Sequence, residues 1–341
     1  MGIVLWITIN VKHILDLLAY VDDMFSWEFA DNFLWYEPYA CHFPAKQALL
    51  LQLWDELGIP HEQSKQVFSS RLTIVGLDVD TDMMTVTMPV QSQCDLVEAV
   101  HAFANIGQRC SLREFHRLAG WMNWAPNAYP LLRPSMSLLY SKMARKVNTH
   151  QLLWVSKALC KKLVWFTNHV KISDGIHIMT SVGWGKNDAD FIIFCDACPS
   201  GMGFWYPTRC LGFVFPLDLT TTSPGIFYFE ALTVMSAIYW AVHNLPLQPC
   251  LQLAIYTDNT NMVDMFNALC AQPLYNPLLI TVVELLLDSK IHLRVFHFPG
   301  DENIVADALL HSHYDSIFDL VPTLLVYNFI PPQLTMGADV L

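Results

Sequence analysis

Residues 191–206 read FIIFCDACPSGMGFWY, and the fold turns on how that stretch is parsed. Five apolar residues, Phe191 to Cys195, run into Asp196, and a Pro-Ser-Gly turn separates them from the apolar run Gly201–Tyr206. Short apolar runs rich in Phe and Ile, bounded by turn residues, predict strands rather than helices. Leu211 to Phe215 predicts a third strand. Phe227 to Asn244 predicts a long helix whose apolar face carries Ala231, Val234, Met235, Ile238, Ala241 and Val242 at helical spacing. A strand at Gln252–Thr257, helices at 262–269 and 278–289, a strand at 291–298 and a helix at 304–311 complete the series. Three strands, a helix, a strand, two helices, a strand and a helix form an α/β order.

Four carboxylates occupy element ends within that order: Asp196 at the end of the first strand, Glu230 in the first turn of the long helix, Asp258 at the end of the fourth strand and Asp307 in the last helix. Each alone has a plain explanation as a turn former, a helix cap or a partner of the helix dipole. As a set they are expected to converge, and converging carboxylates raise one another's pKa unless cations lie between them. Oxygen-liganded divalent ions, two Mg²⁺ with Mn²⁺ as a substitute, would resolve that conflict and suit in-line phosphoryl displacement.

The ordered motifs resemble a known family. Asp196-Ala197-Cys198 with Gly201 and Gly203, then Phe229-Glu230-Ala231-Leu232, then Thr257-Asp258-Asn259, then His297-x-Pro299-Gly300 with Asn303 and Ala306-Asp307-Ala308-Leu309 resemble the ribonuclease H domains of retroelements. Cys198 stands where Ser is common, and Leu310-His311 where Ser-Arg usually follows; neither departure removes a carboxylate. The resemblance implies a ribonuclease H-like mixed five-stranded sheet with flanking helices. It also implies two-metal hydrolysis of the RNA strand of an RNA–DNA hybrid, with Asp196, Glu230, Asp258 and Asp307 as catalytic metal ligands and His297 assisting proton transfer or product release.

Working outward to the front of the chain, Tyr20-Val21-Asp22-Asp23 resembles the Y-x-D-D turn of reverse transcriptases, and Lys65 with Ile74-Val75-Gly76-Leu77 resembles the later palm lysine and the primer-grip turn. Phe115-His116-Arg117-Leu118-Ala119-Gly120, Asn123 and Leu131-Leu132-Arg133-Pro134 resemble the helical connector of DIRS-like, tyrosine-recombinase retrotransposons of fungi. The expected division is a partial reverse-transcriptase palm over 1–90, a helical thumb or connection over 91–186, a ribonuclease H-like domain over 187–313 and a tail over 314–341, in which 319–329 has the makings of another strand. Within the front part a helix is expected from Pro44 to Leu57 and a hairpin of Leu72–Val79 with Met83–Met88, turning at Asp80-Thr81-Asp82. In the connector, Leu96, Val97, Val100 and Phe103 repeat at helical spacing, and Ser111 with Glu114 forms a capping box.

Only 19 residues precede Tyr20, and Asp16 stands too close to serve as the third polymerase aspartate. The polymerase residues Asp22, Asp23 and Lys65 are therefore expected to be vestigial, with fingers and palm belonging to a missing segment of a longer polyprotein. The alternative is a non-catalytic nucleic-acid-binding relic of such a polyprotein.

Net charge is −12, an unpromising value for a nucleic-acid enzyme until it is divided. Between Asn105 and Lys171 stand 11 Lys or Arg against a single acid, Glu114, so that segment carries +10 and the remainder −22. Arg113, Arg117, Arg133, Lys142, Arg145, Lys146, Lys161 and Lys162 are the expected phosphate-facing cations. Hydrophobic residues make up 53% of the chain, and mean hydropathy is +0.32. Apolar runs are broken before the ~18–20 residues of a membrane span, and residues 1–11 lack the flanks of a signal peptide. Nine scattered cysteines predict reduced thiols. An intracellular protein of cytoplasm or nucleus, not secreted and without a membrane partner, is the expectation.

Overall fold

The computed structural model describes residues 2–178, 183–217, 225–246, 248–311 and 318–334. The chain divides into two compact units, Met1–Pro89 with Gly175–Met179, and Val90–Asp174 with Thr180–Leu341.

In the first unit the helix Gly2–Asn10 precedes a hairpin, Leu18–Tyr20 against Asp23–Phe25, with Tyr20 opposite Asp23. The Tyr20–Asp23 motif therefore lies on a hairpin turn. The helix Ala45–Leu57 stops at Gly58, whose φ of +67° permits the left-handed cap. It packs Ala48 and Leu51 against Tyr36 and Phe43 of the strand pair Phe33–Tyr36 and Cys41–Pro44.

The expected strand Leu72–Val79 is corrected. Val75 and Gly76 adopt φ of +49° and +77°, a two-residue turn that splits it into Arg71–Ile74 and Leu77–Asp80. Paired positive φ angles match the right-handed twist of the flanking strands, which is why such turns close hairpins. Thr85–Thr87 pairs next, and Ile176–His177 completes the sheet. A β-branched residue is strained at positive φ. Val75→Asn is therefore expected to stabilise this unit by about 0.5–1 kcal/mol, seen as a higher urea midpoint; an unchanged or lower midpoint would refute strain at Val75.

The second unit opens with helices Val90–Phe103 and Leu112–Met122, the latter capped as expected by Ser111 and Glu114. Helices Ser137–Met143 and Lys157–Ile172 follow. The segment is not wholly helical, because Arg109–Ser111 pairs with Leu152–Trp154. A mixed sheet forms the rest of the unit, built from β1 (Phe191–Cys198), β2 (Gly201–Tyr206), β3 (Leu211–Pro216), β4 (Gln252–Thr257), β5 (His292–His297) and β6 (Leu325–Asn328). Its order is β5-β4-β1-β2-β3-β6, with β1, β2 and β3 antiparallel and the β1–β4, β4–β5 and β3–β6 pairs parallel. Six strands replace the expected five, because β6 from the tail extends the β3 edge and satisfies its backbone groups.

Helices α1 (Ile226–Asn244), α2 (Thr260–Ala268), α3 (Asn276–Ser289) and α4 (Ile304–Leu310) flank the sheet. Buried α1 side chains join Ile193, Cys195, Phe204 and Ile255 in the main core. By length and apolarity α1 could cross a membrane, which corrects the expectation that no stretch qualifies. Its Ala231, Val234, Met235, Ala237, Ile238 and Ala241 are instead at most 1% exposed within that core. On the opposite face Ala308 and Leu309 of α4 pack with Leu324 and Trp205. All nine cysteines are free thiols.

Candidate active site

Alternation along β1 sends Ile193, Cys195 and Ala197 into the core and turns Asp196 to the opposite face. β1 continues through Cys198, so Asp196 lies inside the strand rather than at its end. β1 and β4 run parallel with Phe194 opposite Tyr256, and extending that register by two residues brings Asp196 beside Asp258. Glu230 is the fifth residue of α1, one position later than expected because the helix begins at Ile226. Asp307 is held by α4, whose backbone N–H donates to Asn303 at 3.1 Å.

Burial, Asp258, Asp307 and Glu230 together push the Asp196 carboxyl up to about 7, although the Ala197 N–H donates to it at 2.8 Å and works the other way. Burial and Asp258 also raise Glu230, opposed by the Asn259 side-chain amide, which donates to Glu230 Oε2. Asn259 Oδ1 accepts from the Asn261 N–H at 2.8 Å and caps α2, so one residue fixes both the helix start and a carboxylate. Among the described residues no three His, Cys, Asp or Glu side chains close to metal-holding spacing. The donor set nevertheless suits hard divalent cations: four carboxylates, one of which burial and the other three acids push up to about 7.

The loop after β5 bears directly on this site. His297, the last residue of β5, is exposed, pairs across from Thr257, and its carbonyl accepts from Lys186 Nζ at 3.4 Å. Pro299 and Gly300 follow, and a Cβ on Gly300 would stand 3.1 Å from Asp258 Oδ2. Asn303, 3% exposed, donates to the Cys195 carbonyl at 3.3 Å, and its N–H donates to Pro299 and Gly300 carbonyls at 3.2 and 3.1 Å. It latches the loop to the residue preceding Asp196. Gly300→Ala should therefore displace Asp258 and lower the hydrolysis that the sequence resemblance implies ~10–100-fold, while the thermal midpoint moves little. A variant as active as the parent would show that the loop does not bear on Asp258.

Asn259 and Asn303 stood in the sequence as motif letters without assigned roles. Their signal was an amide beside a carboxylate and an amide in apolar surroundings. Asp307 Oδ1 also lies 3.6 Å from His311 Nε2, so the residue departing from the family pattern contacts a site carboxylate.

In the first unit Asp22 and Asp23 are exposed, Asp16 pairs with Lys46 at 3.4 Å and Lys65 with Glu62 at 3.9 Å; among the described residues no ion pair joins Lys65 to either hairpin aspartate. The cations of 105–171 spread over several elements. Arg113 and Arg117 lie on Leu112–Met122, Arg133 in the turn Pro130–Met136, Lys142 on Ser137–Met143, Arg145 and Lys146 beyond it, and Lys161 and Lys162 on Lys157–Ile172. Lys162 differs from the rest, because burial draws its ammonium pKa down to about 8. No family model matches this chain, and no curated protein matches it.

Proposed function

We propose that this chain is the ribonuclease H part of a DIRS-like reverse transcriptase and cleaves the RNA strand of RNA–DNA hybrids. The observation that carries the reading is that Asp196, beside Asp258 in the parallel register of β1 and β4, is pushed up to about 7 by burial together with Asp258, Asp307 and Glu230. The order of strands and helices, matching that read from hydrophobic periodicity, supports a ribonuclease H-like fold. Two Mg²⁺, or Mn²⁺, held by these acids would neutralise their charge, activate water and stabilise the leaving 3′ oxygen.

The chain's own residues do the positioning. Asn259 orients Glu230, the Pro299-Gly300 turn bears on Asp258, and Asn303 ties that turn to β1. His297, exposed beside Asp258, exchanges a proton with solvent near the scissile phosphate. Hybrid selection rests on duplex shape and RNA 2′-hydroxyls, with the basic helices gripping phosphate in a salt-dependent manner. Exposed aromatics in the first unit, among them Trp27, Phe29 and Trp35, fit a palm that packs against a further segment of a polyprotein.

A labelled hybrid with Mg²⁺ tests the reading: internal cuts in the RNA strand are expected, and cuts that survive Asp196→Asn would end the assignment. The non-catalytic alternative draws on the absence of three carboxylates at metal-holding spacing among the described residues. Hybrid binding without cleavage, across Mg²⁺ and Mn²⁺, would favour it.

A further inference from the structure

The outer face of helix Leu112–Met122 combines charge with flat apolar surface. Its inner face buries Leu112, Phe115, Leu118, Ala119 and Met122. Its outer face carries Arg113, Arg117 and Trp121 at four-residue spacing, and Trp124 continues the stripe three residues on. Trp121 and Trp124 are 46% and 37% exposed, against the burial expected of indoles that serve only as core. The Arg117 guanidinium lies 5.8 Å from the Trp121 ring. Tyr140, 46% exposed on the neighbouring helix Ser137–Met143, donates its hydroxyl to Asn123 Oδ1 at 3.4 Å and so stands beside the stripe. At the helix start a second stack, Arg109 on Trp154 at 4.2 Å, repeats the arrangement.

Among the described residues no ion pair neutralises the cations of this face. Glu114, the lone acid of the segment, is committed to its capping box, its Oε2 accepting from the Ser111 N–H at 2.6 Å and the Ser111 hydroxyl at 2.7 Å. Among the described residues neither Arg113 nor Arg117 forms an ion pair, and the same holds for Arg133, Lys142, Arg145 and Lys146. A surface with unpaired cations calls for an anionic partner. Exposed indole and phenol faces between those cations add a requirement that phosphate alone does not meet: flat, unstacked rings.

We propose that this face is a stacking platform for the unpaired bases of single-stranded nucleic acid, with Trp121, Trp124 and Tyr140 receiving bases and Arg113 and Arg117 holding the flanking phosphates. Bases in a duplex present only their edges to a protein, whereas single strands offer ring faces to aromatic side chains. The platform would hold the single-stranded extension of a substrate while the carboxylate site acts on paired strands. The inference rests on the nucleic-acid reading above but does not require that the chain cleave.

Its test uses the full chain and fluorescein-labelled 12-mers of thymidine, uridine and abasic sites, followed by anisotropy across a salt series. Both base-bearing strands should bind more tightly than the abasic strand, which carries the same phosphates. Trp121→Ala should weaken base-bearing strands ~5–100-fold and leave abasic binding and the salt slope unchanged. Arg113→Ala should reduce the salt slope by about one. Trp121→Phe should restore most of the affinity, and far-UV circular dichroism shows that each variant is folded. Equal affinity for abasic and base-bearing strands would overturn the platform, as would a folded Trp121→Ala variant that binds like the parent or an acidic peptide that competes as well as the oligonucleotide. Hybrid cleavage measured on the same preparations separates the two readings. Cleavage without base-dependent binding removes the platform alone, and base-dependent binding without cleavage removes the nuclease alone.

Discussion

Asp196→Asn is expected to make the protein more stable at pH 8 while lowering hybrid cleavage by about two to three orders of magnitude. The two effects share one cause. Burial and three neighbouring acids push the folded-state pKa of Asp196 from its ordinary value of 3.8 up to about 7, so the folded chain keeps a proton that the unfolded chain has released. Between roughly pH 4 and 7 the unfolded state therefore binds fewer protons, and stability falls as pH rises through that window. At pH 8 the folded state holds an ionised carboxylate among like charges, at a cost on the order of 2–4 kcal/mol. Asparagine keeps the shape and removes the charge.

Melts at pH 5 and pH 8 check the sign: the fall in midpoint between them should be smaller for the variant. Mg²⁺ should raise the parent's midpoint at pH 8, since a ligand that binds the folded state stabilises it, and should raise the variant's less. A variant no more stable than its parent at pH 8 would mean that Asp196 does not carry this repulsion.

Gly203→Val has the opposite profile, a loss of both stability and activity. A Cβ at Gly203 would meet Leu310 Cδ2 at 3.1 Å and the Phe213 carbonyl at 3.4 Å. Gly212 is similarly close to Leu309, with both δ-methyls at 3.1 Å from its would-be Cβ. The seven-residue helix α4 thus seats two leucines on bare backbone of β2 and β3, and side chains added there push it off the sheet. Overpacking of this kind costs about 1–3 kcal/mol. Because Asp307 rides on α4, cleavage should fall further than the lost stability explains. Leu310→Ala in the same chain vacates the space, so the double variant should be more stable than the sum of the two single changes by about 0.5–3 kcal/mol. Strict additivity in urea melts would show that Gly203 and Leu310 do not press on one another.

Much of this was legible in the residues themselves. Strand and helix periods placed the first five strands and the four helices of the sheet domain within a few residues, because each buries one face and alternation or 3.6-residue spacing reports burial directly. The helix predicted from Phe227 begins one residue earlier, and the strand Gln252–Thr257 is as read. Where the reading failed, backbone conformation or long-range pairing was at work. Val75-Gly76 resembled a turn by motif while the strand pattern ran through it as Leu72–Val79, and positive φ at both residues decided for the turn.

By itself the sequence determined the order of elements, the candidate acids and the charge division between residues 105–171 and the rest. Only the tertiary structure decided that the tail's β6 would pair beside β3 and that Asn259 and Asn303 would hold the site together. Pairing partners and carboxylate separations depend on contacts between residues up to more than a hundred positions apart. A local pattern records which face of an element is apolar, and it carries no record of what that face will meet.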